Sequence, residues 1–332
     1  MNNQTMHTER ELPHPLLEVL FTSEWSALYD PVTRSRWDTS GLFHEPVFDA
    51  LNGKDGVDAD TAGCLREACL DTPAISDREA IREWCEAGWS DPLRHYLHTN
   101  RLPKLNYADA SGWIEDFTTM REKVGEEEVP PLTKEYTRAV SPIEIPLAGM
   151  PLPAREERLT LSGLAHLLVH AFGISGEKRL AVTGRHVRRT SPSGGSRHPT
   201  EAYAVAFDVD GLAPGVYHFN SVRRSLALVH KGQFQAQYLC EVAGLNRRIS
   251  FAPRAALVLT SVVERSMHRY RDPRSYRVLH FDLGHLLKTL QLLARDRGMR
   301  YFSAYSLGDS AAERMLGVDG LMETAMCQFL LG

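Results

Sequence analysis

Two stretches of this chain concentrate the residue types that can do chemistry. The first is Arg189-Thr-Ser-Pro-Ser-Gly-Gly-Ser-Arg-His-Pro-Thr-Glu-Ala-Tyr203. Pro192, Gly194, Gly195 and Pro199 exclude a regular helix. Tyr203, Val205, Phe207 and Val209 then alternate with smaller or polar residues, as on a strand. Gly194-Gly195 removes two Cβ atoms, so a planar ligand can approach the backbone. Ser191, Ser193 and Arg197 offer donors, and Arg188-Arg189 a paired positive charge. A flat, anionic, polar-edged molecule suits that set, and flavin mononucleotide (FMN) is one. A surface turn ahead of an edge strand satisfies the same spacing. The second stretch, Arg265 to Arg277, holds five arginines, His268, Tyr270 and Tyr276. Arginine stays protonated at ordinary pH and cannot act as a general base. A solvated basic loop is the plain alternative. His166 and His170 have metal-ligand spacing on a helix, but no Glu sits between them, which argues against zinc. No dinucleotide-binding glycine fingerprint and no Walker A sequence is present.

The first stretch resembles the flavin-binding signature of SagB-type dehydrogenases, within the nitroreductase superfamily. Those proteins carry Pro-Ser-Gly-Gly, here Pro192–Gly195, and then Pro-x-Glu-x-Tyr, here Pro199–Tyr203. Three further blocks follow in the family's order. They are Gly211-Leu-Ala-Pro-Gly-Val-Tyr-His-Phe219, Tyr276-Arg277 with Asp282-Leu-Gly-His285, and Leu316-Gly-Val-Asp319 through Gly332. The resemblance implies an α+β, nitroreductase-like fold, with a central, mostly antiparallel sheet flanked by helices. It implies FMN held by Arg189, Ser191, Pro192, Ser193, Gly194 and Gly195, with Arg138 and Gly308, commonly at the interface of a homodimer. The implied activity is oxidation of thiazoline or oxazoline rings in a ribosomally made peptide to thiazole or oxazole, with a cyclodehydratase as partner. Azoline-oxidising relatives carry a Lys-Tyr pair where Arg269-Tyr270 stands here. That implies Tyr270 as proton acceptor, Arg269 beside it, and His268 as its rival. The sequence departs from the family twice. Arg269 replaces the lysine, and Lys134-Glu-Tyr-Thr-Arg138 stands where an Arg-Arg-Ser-x-Arg-like run grips the phosphate. These departures keep two alternatives open: another redox reaction, such as reduction of a dehydroamino acid, nitro or quinone substrate, and a flavin-free scaffold in a peptide-modifying complex.

Composition agrees with a soluble globular protein: 332 residues, 43% hydrophobic and 24% charged. No apolar run approaches the roughly 20 residues that span a bilayer. Met1-Asn-Asn-Gln-Thr lacks a signal-peptide apolar stretch, so a cytoplasmic location is expected. Five cysteines without a Cys-x-x-Cys pattern argue against a disulfide framework. Charge is uneven. Residues 1–150 hold 14 Lys and Arg against 27 Asp and Glu, a net of −13; residues 151–332 hold 24 against 15, a net of +9. The change of sign marks two regions with different tasks. The acidic first half argues against nucleic-acid binding.

These residues need elements to position them. An acidic, mostly helical region is expected over 1–120, where it would contact a peptide or partner. Within it residues 1–15 read as a frayed tail, Leu16, Leu17, Leu20 and Ala27 fit one helix face, and Asn52-Gly53 and Asp55-Gly56 mark turns. A Pro- and Glu-rich extended connector is expected over 121–157, and the FMN domain over 158–332. Leu161 to Ala171 reads as a helix stopped by Gly173, and Ala255 to Val263 as a buried central strand. Leu283, Leu286, Leu287, Leu290 and Leu293 form one stripe of a helix closed by Gly298. Ser310-x-x-Glu313 fits a capping box, and Thr324 to Leu331 a last strand.

Overall fold

The computed structural model describes residues 18–21, 26–29, 36–38, 75–100, 108, 110–126, 131, 134, 144–151, 158–180, 184–243, 249–270 and 272–332. The chain divides into two compact units, Met1–Pro103 and Lys104–Gly332.

The first unit holds three short antiparallel strands, β1 (Glu18–Phe21), β2 (Ser26–Tyr29) and β3 (Arg36–Asp38), and two helices, α1 (Ile75–Glu86) and α2 (Ser90–Asn100). The helices agree with the expectation of a mostly helical region and bury Ile81, Leu93 and Leu97 together. The strands correct it. Leu20 and Ala27 were expected on one helix face; they are cross-strand partners in the β1–β2 hairpin. Short apolar runs satisfy either period, and here Val19, Phe21 and Tyr29 supply strand-favouring side chains. The expected tail at 1–15 and the two Gly turns lie outside the described residues.

The second unit carries the site. It begins with α3 (Ala110–Glu126), which extends helix into the stretch expected as connector. Then follow β4 (Glu144–Pro146), α4 (Leu161–Phe172), β5 (Ile174–Leu180), β6 (Gly184–Arg189), β7 (Thr200–Ala206), β8 (Gly215–Asn220), β9 (Ser225–Lys231) and β10 (Ala255–Val262). The chain closes with α5 (Glu264–Met267), α6 (Ser275–Asp296), β11 (Tyr301–Ala304), α7 (Asp309–Leu316) and β12 (Glu323–Leu331). Among the described residues, seven strands form one antiparallel sheet in the order β11-β12-β10-β7-β8-β9-β4. β5 and β6 pair as a separate hairpin that leads into the Ser191–Pro199 loop. β4, inside the expected connector, pairs with β9 at the sheet edge.

β7 sits in the middle of the sheet, between β10 and β8, and every residue of it is buried. The edge-strand alternative for Thr200 to Ala206 is thereby excluded. Ala202, Ala204 and Ala206 face α4 and the leucine stripe of α6, where Leu283, Leu286, Leu287 and Leu290 pack as expected. Tyr203 and Val205 face the opposite layer, built with Tyr238, Val242, Met315 and Leu316. The small alanines let the helices approach the strand closely on the first side.

In β12 the pairing register with β10 shifts between Leu259 and Thr260, so Met326 is an extra residue. This bulge switches the alternation. Cys327, Phe329 and Leu331 face the helix layer of α4 and α6, whereas Ala325 shares the other face with Leu330. Glu323 accordingly points to that other face. The expected capping box of α7 does not form: its N-cap is Gly308, without a side-chain cap. Glu313 turns instead to β12, accepting hydrogen bonds from the Thr324 hydroxyl and the Ala325 N–H.

Candidate active site

The loop between β6 and β7 is a strained, internally bonded turn. Ser193 is extended, and Gly194 to Ser196 form one turn of 3-10 helix. Gly195, Ser196 and His198 all have positive φ, at 58°, 56° and 49°. Left-handed backbone at two non-glycine residues costs energy, so surrounding contacts must hold it. Ser193 supplies them. Its hydroxyl donates to Asp282 Oδ2 at 2.6 Å and accepts the His198 N–H at 2.9 Å. Asp282 Oδ1 also accepts the Gly194 N–H at 3.0 Å. Asp282 lies on α6 and is only 3% exposed. Burial pushes its carboxyl above the usual carboxylate range, opposed by the two hydrogen bonds from the loop.

Tyr270, from the loop between α5 and α6, meets this turn from the other side. A Cβ at Gly195 would collide with the Tyr270 hydroxyl. Glycine at 195 thus serves both the positive φ and the approach of the phenol. A Cβ at Gly194 would strike Val278. Arg269 lies with its guanidinium carbon 5.2 Å from the centre of the Tyr270 ring, within cation–π range. It grips Asp116 of α3 bidentately, at 2.9 and 2.6 Å. His268 is buried at the end of α5, its N–H donating to the Glu264 carbonyl.

The other sequence-derived site residues separate by depth. Arg189 turns inward: its guanidinium donates to the Ser221 hydroxyl at 3.0 Å and, at 3.4 Å, to the Thr200 carbonyl. Burial lowers its pKa to about 10. Ser191 is buried, its hydroxyl bonded to the Ala171 carbonyl and to Thr289. It ties the loop to α4 and α6. Pro192 is exposed, leading into Ser193. Gly308 packs against the Glu241 carbonyl at the start of α7, and no described contact joins it to the loop at 191–197. Arg138 lies outside the described residues.

Residues that the sequence reading left without a role hold the loop from below. The Glu201 carboxylate, 3% exposed, accepts from Arg265 Nη1 at 2.5 Å and bonds His218 Nε2 at 2.9 Å. Burial alone would raise its pKa, but Arg265, His218 and Arg189 hold it at about 2. Arg265 also donates to the carbonyls of His198 and Pro131. Nearby, Glu323 accepts from Lys134 Nζ at 2.5 Å, Tyr203 Oη at 2.9 Å and Thr260 Oγ1 at 2.8 Å. His198 is kept neutral. Its pKa falls to about 4 because burial and then Arg189 disfavour the imidazolium. Its Nε2 lies 3.0 Å from the Val187 carbonyl, so this nitrogen carries the proton. One sequence signal pointed to Asp282: an acid inside the apolar stripe of Leu279, Leu283 and Leu286 must find buried partners.

The residues of this second unit match a known family. The model of the nitroreductase family fits residues 154–332. The chain belongs to the nitroreductase family. Among curated proteins, the trifolitoxin-processing protein TfxB of Rhizobium leguminosarum bv. trifolii is 29% identical over 333 aligned residues, covering 90% of this chain and 88% of that one. A protein of Methanocaldococcus jannaschii assigned as a nitroreductase, MJ1384, is 28% identical over 160 residues, 48% of this chain and 75% of that one. Among solved structures, a protein of Anabaena variabilis assigned as a nitroreductase superposes with a TM-score of 0.51 at 24% identity. The superposition covers 65% of this chain and 45% of that one, less than half of its length. That likeness shows the fold.

FMN asks a protein for polar groups along a flat ring and for cations at a phosphate. The loop suits the ring. Gly195 is exposed, with the Cβ sides of Gly194 and Gly195 facing Val278 and the Tyr270 hydroxyl, and just beyond the loop Thr200 Oγ1 and Ser261 Oγ are buried hydroxyls without a hydrogen-bond partner among the described residues. They are cross-strand neighbours on β7 and β10. Orphaned buried hydroxyls indicate a bound polar molecule or water. The phosphate side is different. Arg189, Arg197, Arg265, Arg269 and Lys134 each already bond protein groups. Arg188, on the outward face of β6, is exposed. No helix among the described residues is long and apolar enough to cross a membrane.

Proposed function

We propose that this protein is an FMN-dependent dehydrogenase that acts in the maturation of a ribosomally made peptide, oxidising thiazoline or oxazoline rings to thiazole or oxazole. The observation that carries the reading is the Tyr270 hydroxyl seated against Gly195 in the signature loop. The family assignment and the near full-length likeness to a trifolitoxin-processing protein support it. In this reading Pro192, Ser193, Gly194 and Gly195 line the ring of the cofactor. Arg189 and Ser191 anchor that loop from beneath. Arg138 and Arg188 are the cations proposed for the phosphate. Bound FMN would supply the hydride acceptor for the reaction.

Aromatisation of an azoline removes one proton and one hydride. Tyr270 is the proposed proton acceptor, because its oxygen reaches the loop that would hold the ring. Arg269 is a positioning residue: it is fixed by Asp116 and packs on the phenol. His268, two residues before Tyr270, is the second candidate for the base. The protein would work as a homodimer in the cytoplasm, with a cyclodehydratase as upstream partner. The test is Tyr270→Phe assayed on a thiazoline peptide, with product mass and flavin absorbance both measured. Turnover should fall about 10²–10⁴-fold with FMN content unchanged. An unaltered rate would remove Tyr270 from the mechanism.

A second reading, a flavin-free scaffold, is favoured by one observation: five of the cationic side chains around the loop bond protein groups. Titrating the purified protein with FMN separates the two. Saturable quenching of flavin fluorescence supports the dehydrogenase, and none at 100-fold excess supports the scaffold.

A further inference from the structure

A cavity of about 380 Å³ opens between α5 and the start of α6. Val263, Met267, Tyr270, Pro273, Tyr276 and Leu279 form its apolar wall. Ser266, Asp272 and Ser275 complete its described lining, and no cationic side chain is among those described residues. That composition does not suit a phosphate. It suits an apolar side chain, and the volume admits one of aromatic size. One wall is the ring of Tyr270, whose hydroxyl reaches Gly195. The cavity and the signature loop therefore share a single side chain.

The mouth is apolar as well. Met267 is 51% exposed and Tyr276 45%. An exposed methionine at a cavity rim can repack around side chains of different shape. Beyond Arg269, its partner Asp116 sits on α3 next to Phe117, and Trp113 and Ile114 stand nearby on the same helix, all three largely exposed. A folded globular domain has little reason to leave large apolar groups such as Met267 and Tyr276 in water at the mouth of a cavity.

We infer that this cavity is the subsite for an aromatic or large aliphatic side chain of the peptide substrate, close in sequence to the residue that is modified. The inference rests on the reading of Tyr270 as the reacting base, since that places the cavity beside the reaction centre. It adds a specificity: peptides with an apolar anchor near the modified ring, in preference to those with glycine or an acid there. α3 would support the peptide backbone as it leaves the cavity.

The probe is a pair of fluorescein-labelled Gly/Ser decapeptides with a central cysteine, one flanked by phenylalanine and one by glycine. Binding to the full chain is followed by anisotropy. Burial of a phenyl group predicts at least about tenfold tighter binding of the first peptide. Met267→Trp, a change at an exposed rim position, should fill the mouth and abolish the difference. Ser275→Phe, at another lining residue, is the second plug and should act alike. Equal affinities for both peptides in the unaltered protein overturn the proposal, as does a preference that survives both plugs. If sedimentation shows a dimer that Met267→Trp dissociates, the cavity is covered by a second copy and the proposal is likewise overturned. FMN titration of the same samples runs beside this. Loss of FMN binding with intact peptide preference would sink the dehydrogenase and leave the subsite standing; the converse result would do the reverse.

Discussion

The two faces of the seven-stranded sheet are built on different physics. Toward α4 and α6 the contacts are apolar, with Leu164, Leu167, Leu168, Leu283, Leu290 and Phe329 at most 1% exposed. Toward α7 the apolar layer shares its space with ions. Glu201, Arg265 and His218 form one buried cluster, and Glu323, Tyr203, Thr260 and Lys134 another. Tyr238 adds a hydrogen bond to Gln328. The apolar face tolerates imprecise repacking, because its forces are non-directional. The ionic face does not, since each charge there depends on particular partners. The signature loop is fastened from both sides: Ser191, Ser193 and Gly194 bond Ala171, Thr289 and Asp282 of α4 and α6, and Arg265 holds the His198 carbonyl from the ionic side. The difference teaches that cohesion comes from the leucine layer, and precision at the site from the few polar contacts that reach the loop from both sides.

Three changes would break or sharpen that contrast, in descending order of effect. Arg265→Met leaves Glu201 buried without its principal cation and should destabilise the fold by about 3–5 kcal/mol, measured by urea unfolding. Adding Glu201→Leu should recover much of that loss, because a buried pair is often replaceable by apolar groups. Failure to recover would mean that the cluster does more than neutralise itself. On the leucine face, Leu290→Ala should cost about 3 kcal/mol, through lost burial and the cavity left behind. Its effect should be the same at pH 5 and pH 7, since nothing ionic is touched. The third change concerns pH. The His198 pKa lies at about 4, below the ordinary 6.5, so on acidification the unfolded chain takes up the proton first. The stabilising contribution is therefore complete above pH 6.5 and is lost as pH falls toward 4. By pH 5 the loss is about 2 kcal/mol. His198→Asn should abolish that part of the acid sensitivity, so the gap between variant and parent narrows as pH falls. A constant gap would show that His198 is not what couples the loop to protons.

The same contrast explains what could be read from the chain alone. Leucine spacing located α4 and α6, and the apolar run at 255–262 located β10, because burial leaves a periodic mark. The signature loop and Tyr270 were visible through resemblance, and the fold brings them into contact. The ionic layer left no periodic mark. Glu201 pairs with Arg265 across 64 positions, and Glu323 with Lys134 across 189. Such pairings depend on strand order, which local pattern does not encode. Nor did Ser310 and Glu313 reveal that Glu313 would be claimed by β12 rather than by its own helix. The three strands at 18–38 were missed for a different reason: four-residue segments carry too few periods to separate helix from strand.

The ends of the sheet have a consequence for solubility. Both outermost strands are very short: β4 has three residues and closes on Pro146, and β11 has four. Beside β4, Glu144 is bridged to Arg223 at 2.6 Å, so charge guards that margin. Proline lacks the N–H that a docking strand would need, and a three-residue edge offers few sites for pairing. The two ends of this sheet therefore offer a second copy little backbone to pair with.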